Sequence, residues 1–202
     1  MAFIEEFLRN PATVGSLIPS SRELTDAVMA LIDFGRAECI VEYGPGTGVF
    51  TDVLMQRRRP ETVLVLVEVN RRFSQLLKER YAAHANVHVI HGSADKTGDY
   101  LRARGLPRPS YVVCGLPFTS LPRRLGWRIL EHTRELLAPA AGQLILFQYT
   151  LRNKRLFERF FRLLDHVHVL LNLPPAYVLV YAPVEDTTKA APQLAEAAAQ
   201  QQ

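Results

Sequence analysis

The stretch CIVEYGPGTG, residues 39–48, decides the fold of this chain. Its apolar beginning predicts a buried strand, its three alternating glycines predict a tight turn, and residues 49–54 predict the start of a helix. Glycines at these places permit positive φ angles and remove the Cβ atoms that would keep a ligand away from the backbone. Glu42 lies at the carboxyl end of the predicted strand, where open α/β sheets bind their ligands. We therefore predict a turn that holds a ligand close to the backbone.

Length and composition bound the class of protein. The chain has 202 residues, which suffices for one domain with a full core and is short for two. Hydrophobic residues make up 48% and charged residues 22%, which excludes general disorder. The net charge of +4 favours an anionic partner without distinguishing nucleic acid from lipid. Cys39 and Cys114 lie in apolar runs, which predicts buried reduced thiols and neither a disulfide nor a metal site.

Apolar runs and helical patterns alternate along the chain, which predicts an α/β fold with a mostly parallel sheet and helices on both faces. Residues 172–176 are too few for a crossover helix, so we expect the last two strands to pair antiparallel as a closing hairpin. The seven predicted strands are Cys39–Tyr43, Thr62–Glu68, Val87–Ile90, Tyr111–Cys114, Leu144–Gln148, Val167–Leu171 and Tyr177–Tyr181. The predicted helices are one from Ser20 or Ser21 to near Gly35, then Val49–Arg59, Arg71–Ala83, Thr97–Arg104, Arg123–Leu137 and Asn153–Leu164.

Acidic residues at successive strand ends indicate the kind of ligand. An acid directly before the Gly-rich turn, Glu42, would repel a pyrophosphate but suits a ligand that carries an ammonium and a sulfonium group. Glu68 ends the second predicted strand, where an acid accepts hydrogen bonds from ribose hydroxyls. Asp95 lies in the turn after the third predicted strand, where it could accept a hydrogen bond from an adenine amino group. The sequence therefore predicts S-adenosylmethionine as the cofactor.

Residues 41–48 resemble motif I of the Rossmann-like class I S-adenosylmethionine-dependent methyltransferases, and residues 20–182 fit the seven-stranded fold of that class. The resemblance implies that Glu42 and the loop face the methionine part of the cofactor, Glu68 the ribose, and Asp95 the adenine. The cofactor-binding residues that it implies are Glu42, Gly44, Gly46, Gly48, Glu68, Val69, Ala94, Asp95 and Cys114.

The turn after the fourth predicted strand, residues 115–118, bears on the substrate. It reads Gly-Leu-Pro-Phe, whereas the same turn in rRNA adenine dimethyltransferases resembles Asn-Leu-Pro-Tyr/Phe, with the Asn orienting the target amine. Gly115 at the Asn position weakens an adenine interpretation. This turn and the leader at residues 7–21 instead resemble the bacterial phospholipid N-methyltransferases. That resemblance implies successive methylation of phosphatidylethanolamine to phosphatidylcholine.

The same resemblance implies a set of residues around the transferable methyl. Aromatic faces suit a methylated ammonium, and a guanidinium or hydroxyl suits the lipid phosphate. No residue stands out as a general base. The implied catalytic residues are Tyr43, Gly115, Leu116 and Phe118, and the implied substrate-binding residues are Arg152 and Tyr177. Three alternatives remain open: an RNA adenine N-methyltransferase, a small-molecule amine methyltransferase, and a non-catalytic protein that binds S-adenosylmethionine or a lipid surface.

The sequence also predicts three segments. Residues 1–19 form an amphipathic helix and connector, residues 20–183 the methyltransferase domain, and residues 184–202 a mobile Ala/Gln-rich tail. The apolar stripe of the leader suits the interface of an anionic membrane; it consists of Phe3, Ile4, Phe7 and Leu8. We expect a cytoplasmic monomer, peripheral on the inner face of the cytoplasmic membrane, with a phospholipid partner, no metal and no nucleic acid.

Overall fold

The computed structural model describes residues 21–184, so the predicted leader and the predicted tail beyond Val184 lie outside the described residues. Seven strands form one sheet in the order β3-β2-β1-β4-β5-β7-β6. The strands are β1 (Cys39–Tyr43), β2 (Val63–Glu68), β3 (Val87–His91), β4 (Tyr111–Cys114), β5 (Gln143–Gln148), β6 (Phe161–Val169) and β7 (Ala176–Pro183). The helices are α1 (Arg22–Met29), α2 (Val49–Arg57), α3 (Arg71–Tyr81), α4 (Thr97–Ala103), α5 (Arg123–Leu137) and α6 (Lys154–Phe157), with 3₁₀ turns at Ala94–Lys96 and Ala138–Ala140.

The pairing of the strands confirms the predicted fold class. Strands β1 to β5 pair in parallel, whereas β7 pairs antiparallel with both β5 and β6. The chain builds β2 and β3 on one side of β1 and then returns to add β4 on the other side. The strand order therefore reverses between β1 and β4. Ligands of open α/β sheets bind in the crevice that this reversal leaves at the carboxyl ends of the strands.

Burial of the central strands on both faces explains their Val, Ile and Leu content. All five residues of β1 are buried, and all of β2 except its first residue are buried. Two apolar clusters cover the two faces of the sheet, one including α5 and the other including α1 and α3. Ser21 caps α1 by accepting a hydrogen bond from the Leu24 backbone N–H at 3.1 Å. Among residues 21–184, no helix is long and apolar enough to cross a bilayer.

The segment between β5 and β7 differs from the prediction. A helix was predicted over Asn153–Leu164, but α6 spans only Lys154–Phe157, and β6 already begins at Phe161. The predicted strand Val167–Leu171 accordingly ends at Val169. Apolar residues in this segment recur at helical spacing, yet β6 lies along the whole of β7 as the edge strand, apart from an irregularity between Leu163 and Asp165. Tertiary pairing with β7 overrides the local pattern.

Candidate active site

The Gly-rich loop between β1 and α2 lies at the reversal of strand order. Gly44, Gly46 and Gly48 all have positive φ angles, +68°, +57° and +93°. A Cβ atom on Gly44 would lie 2.9 Å from Leu116 Cδ2, so the close approach to the turn after β4, together with the positive φ angle, favours glycine here. A Cβ atom on Gly46 would meet nothing within 4 Å. The backbone at Gly46 is therefore open to a ligand, which is what the sequence predicts for this loop.

Glu42 is buried directly below this loop, with 3% of its surface exposed. Its Oε2 accepts a hydrogen bond from the Thr51 hydroxyl at 2.6 Å. Burial raises the pKa of Glu42 to about 7; the Thr51 hydrogen bond opposes this shift, and the negative charges of Glu68 and Asp52 add to it. Near neutral pH the carboxyl is thus partly protonated. A cationic group bound beside it would favour the ionised form.

Glu68 joins the end of β2 to the Gly-rich loop. One oxygen of its buried carboxylate accepts from the Gly46 backbone N–H at 3.0 Å, and the other accepts from the Asn70 backbone N–H at 2.8 Å. Burial raises the pKa of Glu68, while these backbone hydrogen bonds act in the opposite direction. A carboxylate has about four lone-pair sites, and the backbone N–H of Val69 also bonds this one, so acceptor capacity remains for about one further donor such as a ribose hydroxyl.

We expect Glu68→Ala to weaken binding of S-adenosylhomocysteine by roughly ten- to hundredfold, because charge-assisted hydrogen bonds to a ligand are lost. The free energy of unfolding should also fall by about 1 kcal/mol, since the N–H groups of Gly46 and Asn70 lose their acceptor. Titration calorimetry measures the affinity. The control is Glu61→Ala, which removes an exposed carboxylate just before β2. Unchanged affinity in Glu68→Ala would remove this residue from the ribose site.

The predicted adenine contacts lie after β3. Ala94 is buried at the start of a 3₁₀ turn. Asp95 accepts a hydrogen bond from the Ser93 hydroxyl and forms an ion pair with Arg128 of α5 at 3.0 Å. Val69, after β2, is 57% exposed, and its carbonyl lies 3.0 Å from His91 Nε2. The carboxyl ends of β2 and β3 therefore present an exposed apolar side chain beside a fixed carboxylate.

The turn after β4 packs directly on the Gly-rich loop. The Gly115 backbone N–H donates to the Tyr43 carbonyl at 3.1 Å. The Gln148 side chain at the end of β5 donates to the Leu116 carbonyl at 3.1 Å and is itself buried. A Cβ atom on Gly115 would lie 3.2 Å from the Phe147 ring. The turn is thus held from both neighbouring strands, and Phe147 occupies the space that a larger residue at 115 would need.

Three of the predicted site residues, Tyr43, Phe118 and Cys114, have buried side chains. The Tyr43 ring is buried in the core with its hydroxyl 3.3 Å from Thr133 Oγ1, so it offers no face to a cation. Phe118 is buried too and packs edge-on against Phe157, with ring centroids 5.1 Å apart. Cys114 is 1% exposed, so only its backbone is available to a ligand, and burial raises the pKa of its thiol to about 12. All three side chains belong to the apolar cluster that packs between the sheet and α5.

The predicted substrate-binding residues lie at the same edge of the sheet. Tyr177 at the start of β7 pairs with Gln148, and its half-buried ring stacks on His168 with centroids 4.3 Å apart. Arg152 lies in the exposed loop after β5 and has no ion-pair partner among residues 21–184. The structure therefore brings Tyr177 next to the end of β5 and leaves the guanidinium of Arg152 in solvent.

Sequence reasoning missed three side chains that hold the site. Thr51 supports Glu42, Arg128 pairs with Asp95, and Gln148 fixes the turn after β4. Thr51 could have been found, because it lies in the first turn of the helix that the Gly-rich loop begins. Arg128 and Gln148 are 33 and 32 residues from their partners, and no local pattern marks such a pair.

Two solved structures share the fold of this chain. NodS, an N-methyltransferase from Bradyrhizobium japonicum solved with S-adenosyl-L-homocysteine, aligns with a TM-score of 0.66 at 12% identity, over 91% of this chain and 98% of NodS. TrmN from Thermus thermophilus aligns with a TM-score of 0.62 at 18% identity, over 89% of this chain and 53% of TrmN. With its Gly-rich loop at the reversal of strand order and acids at the strand ends, this chain is a class I S-adenosylmethionine-dependent methyltransferase.

Sequence comparisons narrow the class to a family. The model of the ribosomal RNA adenine dimethylase family matches residues 3–105. The chain is 32% identical over 174 residues to ornithine lipid N-methyltransferase from Singulisphaera acidiphila, covering 86% of this chain and 91% of that protein. It is 27% identical over 143 residues to ribosomal RNA small subunit methyltransferase A from Syntrophus aciditrophicus, of which it spans 49%. The chain belongs to the ribosomal RNA adenine dimethylase family.

The residues present fit the cofactor of this class. The open backbone at Gly46 lets a ligand approach closely, and the Glu42 carboxyl beneath the loop suits an ammonium group. The carboxylate of Glu68 retains acceptor capacity, and Asp95 is held in place by Arg128. Glu42, the Gly-rich loop, Glu68 and Asp95 would therefore hold S-adenosylmethionine.

Proposed function

We propose that this methyltransferase acts on the primary amine of a membrane lipid. The observation that carries the proposal is the turn after β4. Gly115 has no side chain to accept a hydrogen bond from a planar adenine amine, and the Phe147 ring, 3.2 Å from the position of a Cβ, leaves little room for one. A flexible alkylamine needs no such acceptor, because its lone pair can be aligned by confinement alone.

The relatives support a lipid acceptor. The similarity to the ornithine lipid enzyme extends over most of both chains, whereas the chain spans only half of the Syntrophus ribosomal RNA enzyme. We take ornithine lipid as the first candidate acceptor and phosphatidylethanolamine, with its mono- and dimethylated forms leading to phosphatidylcholine, as the second. Both present an alkylammonium near an anionic group, a carboxylate or a phosphodiester. The exposed guanidinium of Arg152 suits either anion.

The chemistry that the protein must promote is modest. When bound, S-adenosylmethionine supplies a methyl group on a sulfonium, which an amine attacks in line. The acceptor amine must be neutral to attack, although an alkylammonium ordinarily loses its proton only near pH 10. Desolvation beside the loops at Gly44 and Gly115 lowers the pKa of such a group, since burial disfavours its charged form. Among the side chains at the site, none is required as a base.

The methylated product is a cation that needs a suitable surface. Because Tyr43 and Phe118 are buried, Tyr177 is the predicted aromatic residue with an accessible ring at this edge. We further propose that the protein acts as a monomer on the inner face of the cytoplasmic membrane, where the amino-bearing lipid is presented at the surface.

The test is transfer of labelled methyl from S-adenosylmethionine to three acceptors, each offered separately: detergent-dispersed ornithine lipid, detergent-dispersed phosphatidylethanolamine, and ribosomal RNA. We expect label in a chloroform-soluble lipid, with ornithine lipid the better acceptor. Chromatography of the lipid counts the methyl groups added. Glu68→Ala serves as the inactive control. Label in RNA, or label in none of the acceptors, would contradict the proposal.

A further inference from the structure

The turn between β6 and β7, residues 170–175, carries three of the most exposed large apolar side chains among residues 21–184. Leu170 is 67% exposed, Leu171 79% and Leu173 70%. Single exposed leucines are ordinary on protein surfaces, but three within four residues form a contiguous apolar projection. We call this set the leucine turn. Such a projection indicates an interaction surface.

The leucine turn is held in a defined conformation. Asn172 in its middle is 3% exposed and points inward, where its side chain donates to the Pro174 carbonyl at 2.6 Å. Its Oδ1 accepts from the Ser21 backbone N–H at 3.0 Å, and its side chain also hydrogen-bonds Tyr149 of the loop after β5. The buried side chain of Asn172 therefore fixes the turn, and the neighbouring leucines stay exposed to water.

The position of the leucine turn relates it to the active site. Tyr177 of β7 pairs with Gln148, the last residue of β5, so the turn that precedes β7 projects beyond the carboxyl end of β5. The Gly-rich loop and the turn at Gly115 follow β1 and β4 at the same edge of the sheet. Tyr149 and Leu151 on the adjacent loop are 50% and 40% exposed and extend the apolar surface toward the site.

The leucine turn and the loop after β5 beside it carry charges of one sign. Residues 149–155 and 170–175 contain three cations and no acid. Lys154 pairs with Glu158 at 3.4 Å, whereas Arg152 and Arg155 have no ion-pair partner within the described part of the chain. An apolar projection of this kind suits the acyl chains of an anionic bilayer, and the cations at its border suit the negatively charged head groups.

We propose that the leucine turn inserts into the interface of an anionic membrane and so places the active-site edge of the sheet against the lipid. The proposal rests on the proposed lipid substrate, whose amine must reach the turn at Gly115 from the bilayer. The N-terminal twenty residues join the chain at Ser21, which is bonded to Asn172 of this same turn. The predicted leader is therefore attached to the described part of the chain beside the leucine turn.

A fluorophore that responds to polarity tests this insertion in the full chain. Both native cysteines are buried, and burial raises the pKa of each thiol to about 12, so a maleimide should label only an introduced surface cysteine. Leu171→Cys reports on the leucine turn, and Leu76→Cys on α3, where Leu76 is 37% exposed, is the control. The vesicles contain phosphatidylcholine and phosphatidylglycerol and no amino-bearing lipid.

We expect the label at residue 171 to shift to the blue on addition of vesicles and the label at residue 76 to stay unchanged. Leu171→Asp combined with Leu173→Asp should lower vesicle partitioning by about tenfold or more, since two leucines that leave water on insertion are replaced by acids that the anionic head groups repel. The double variant Leu76→Asp with Leu164→Asp adds the same charge at exposed leucines elsewhere. Its vesicle partitioning should fall far less. Affinity for S-adenosylhomocysteine should be unchanged in all variants.

Two results would overturn the insertion. The first is a label at residue 171 that does not respond to vesicles. The second is a label that is already in an apolar environment without vesicles and becomes exposed in Phe3→Ser with Phe7→Ser, because then the leader covers the leucine turn. Methyl transfer to detergent-dispersed lipid is measured separately. Transfer without a vesicle response leaves the proposed function standing, and a vesicle response without transfer to lipid refutes that function alone.

Discussion

Replacement of Glu42 by glutamine is expected to raise the thermal stability of the protein at pH 8 while it weakens cofactor binding. The carboxyl of Glu42 has a pKa of about 7 in the folded protein and an ordinary value of 4.5. The difference corresponds to about 3 kcal/mol of destabilisation when the buried group is fully ionised. The glutamine side chain still accepts a hydrogen bond from the Thr51 hydroxyl, but its amide group is an additional buried donor. We therefore expect the free energy of unfolding at pH 8 to rise by a net of about 2 kcal/mol.

The pKa of Glu42 determines at which pH the glutamine variant should be more stable than the wild type. Because the folded pKa lies above the unfolded one, the folded wild type binds this proton more tightly, and the contribution of Glu42 to stability is greatest below pH 4.5. That stability is lost as the pH rises from 4.5 to about 7 and stays constant above. The advantage of Glu42→Gln should therefore be largest at pH 8 and vanish near pH 4. Thermal melts across this range, with Glu38→Gln at the other end of β1 as the control, measure it.

The affinity for the cofactor should be lower in Glu42→Gln than in the wild type, although the variant is more stable. Wild-type affinity for S-adenosylhomocysteine should fall as the pH drops below about 7, because protonated Glu42 no longer attracts the ammonium group. In Glu42→Gln the affinity should be lower by about tenfold at pH 8, the cost of losing one close charge pair, and flat between pH 6 and 8. A variant that is less stable at pH 8, or that keeps the pH dependence of the wild type, would contradict this assignment.

Gly46→Ala is expected to abolish most of the cofactor affinity at a small cost in stability. Residue 46 has a φ of +57°, which costs an alanine about 1 kcal/mol, and its methyl group would project into the open space at the loop. Gly105 provides a matched control, since it has a φ of +62° and a Cβ there would also meet nothing within 4 Å. Gly105 lies after α4, away from the Gly-rich loop.

Both alanine variants should therefore unfold with a free energy lower by about 1 kcal/mol. Only Gly46→Ala should lose affinity for S-adenosylhomocysteine, by tenfold or more, because a bound ligand and the new methyl group need the same space. Chemical denaturation and calorimetry on the pair separate the two effects. Equal affinity in the two variants would mean that the cofactor does not approach the backbone at Gly46.

Local sequence patterns were sufficient for the part of the fold that carries the cofactor. The strand bounds of β1 and β4 were predicted to the residue, because short Val- and Ile-rich runs there end abruptly in glycine. Glu42 was placed near the end of β1 for the same reason, and Glu68 at the end of β2 because the apolar run there is interrupted by this acid. The first part of β6, up to Leu164, was assigned to a helix because its apolar residues also fit a helix, and only the long partner strand β7 decides between the two.

The direction of a side chain at a strand end was harder to predict. Tyr43 follows Glu42 directly, so the alternation along a strand points the two side chains to opposite faces. Which face is covered by α5 depends on how the chain returns from β3 to β4, and the sequence near residue 43 carries no information about that return. The partners Arg128 and Gln148 escaped prediction for the same reason, since they arrive from elements added later in the chain.

The contact between Gly44 and Leu116 makes the two halves of the active site mechanically dependent on each other. The Leu116 side chain lies against the loop at Gly44, and the Leu116 carbonyl is held by Gln148, so a shift of either loop changes the packing of the other. An acceptor that displaces Leu116 must alter the loop that holds the cofactor. By thermodynamic reciprocity, the factor by which the cofactor changes acceptor affinity must then equal the factor by which the acceptor changes cofactor affinity.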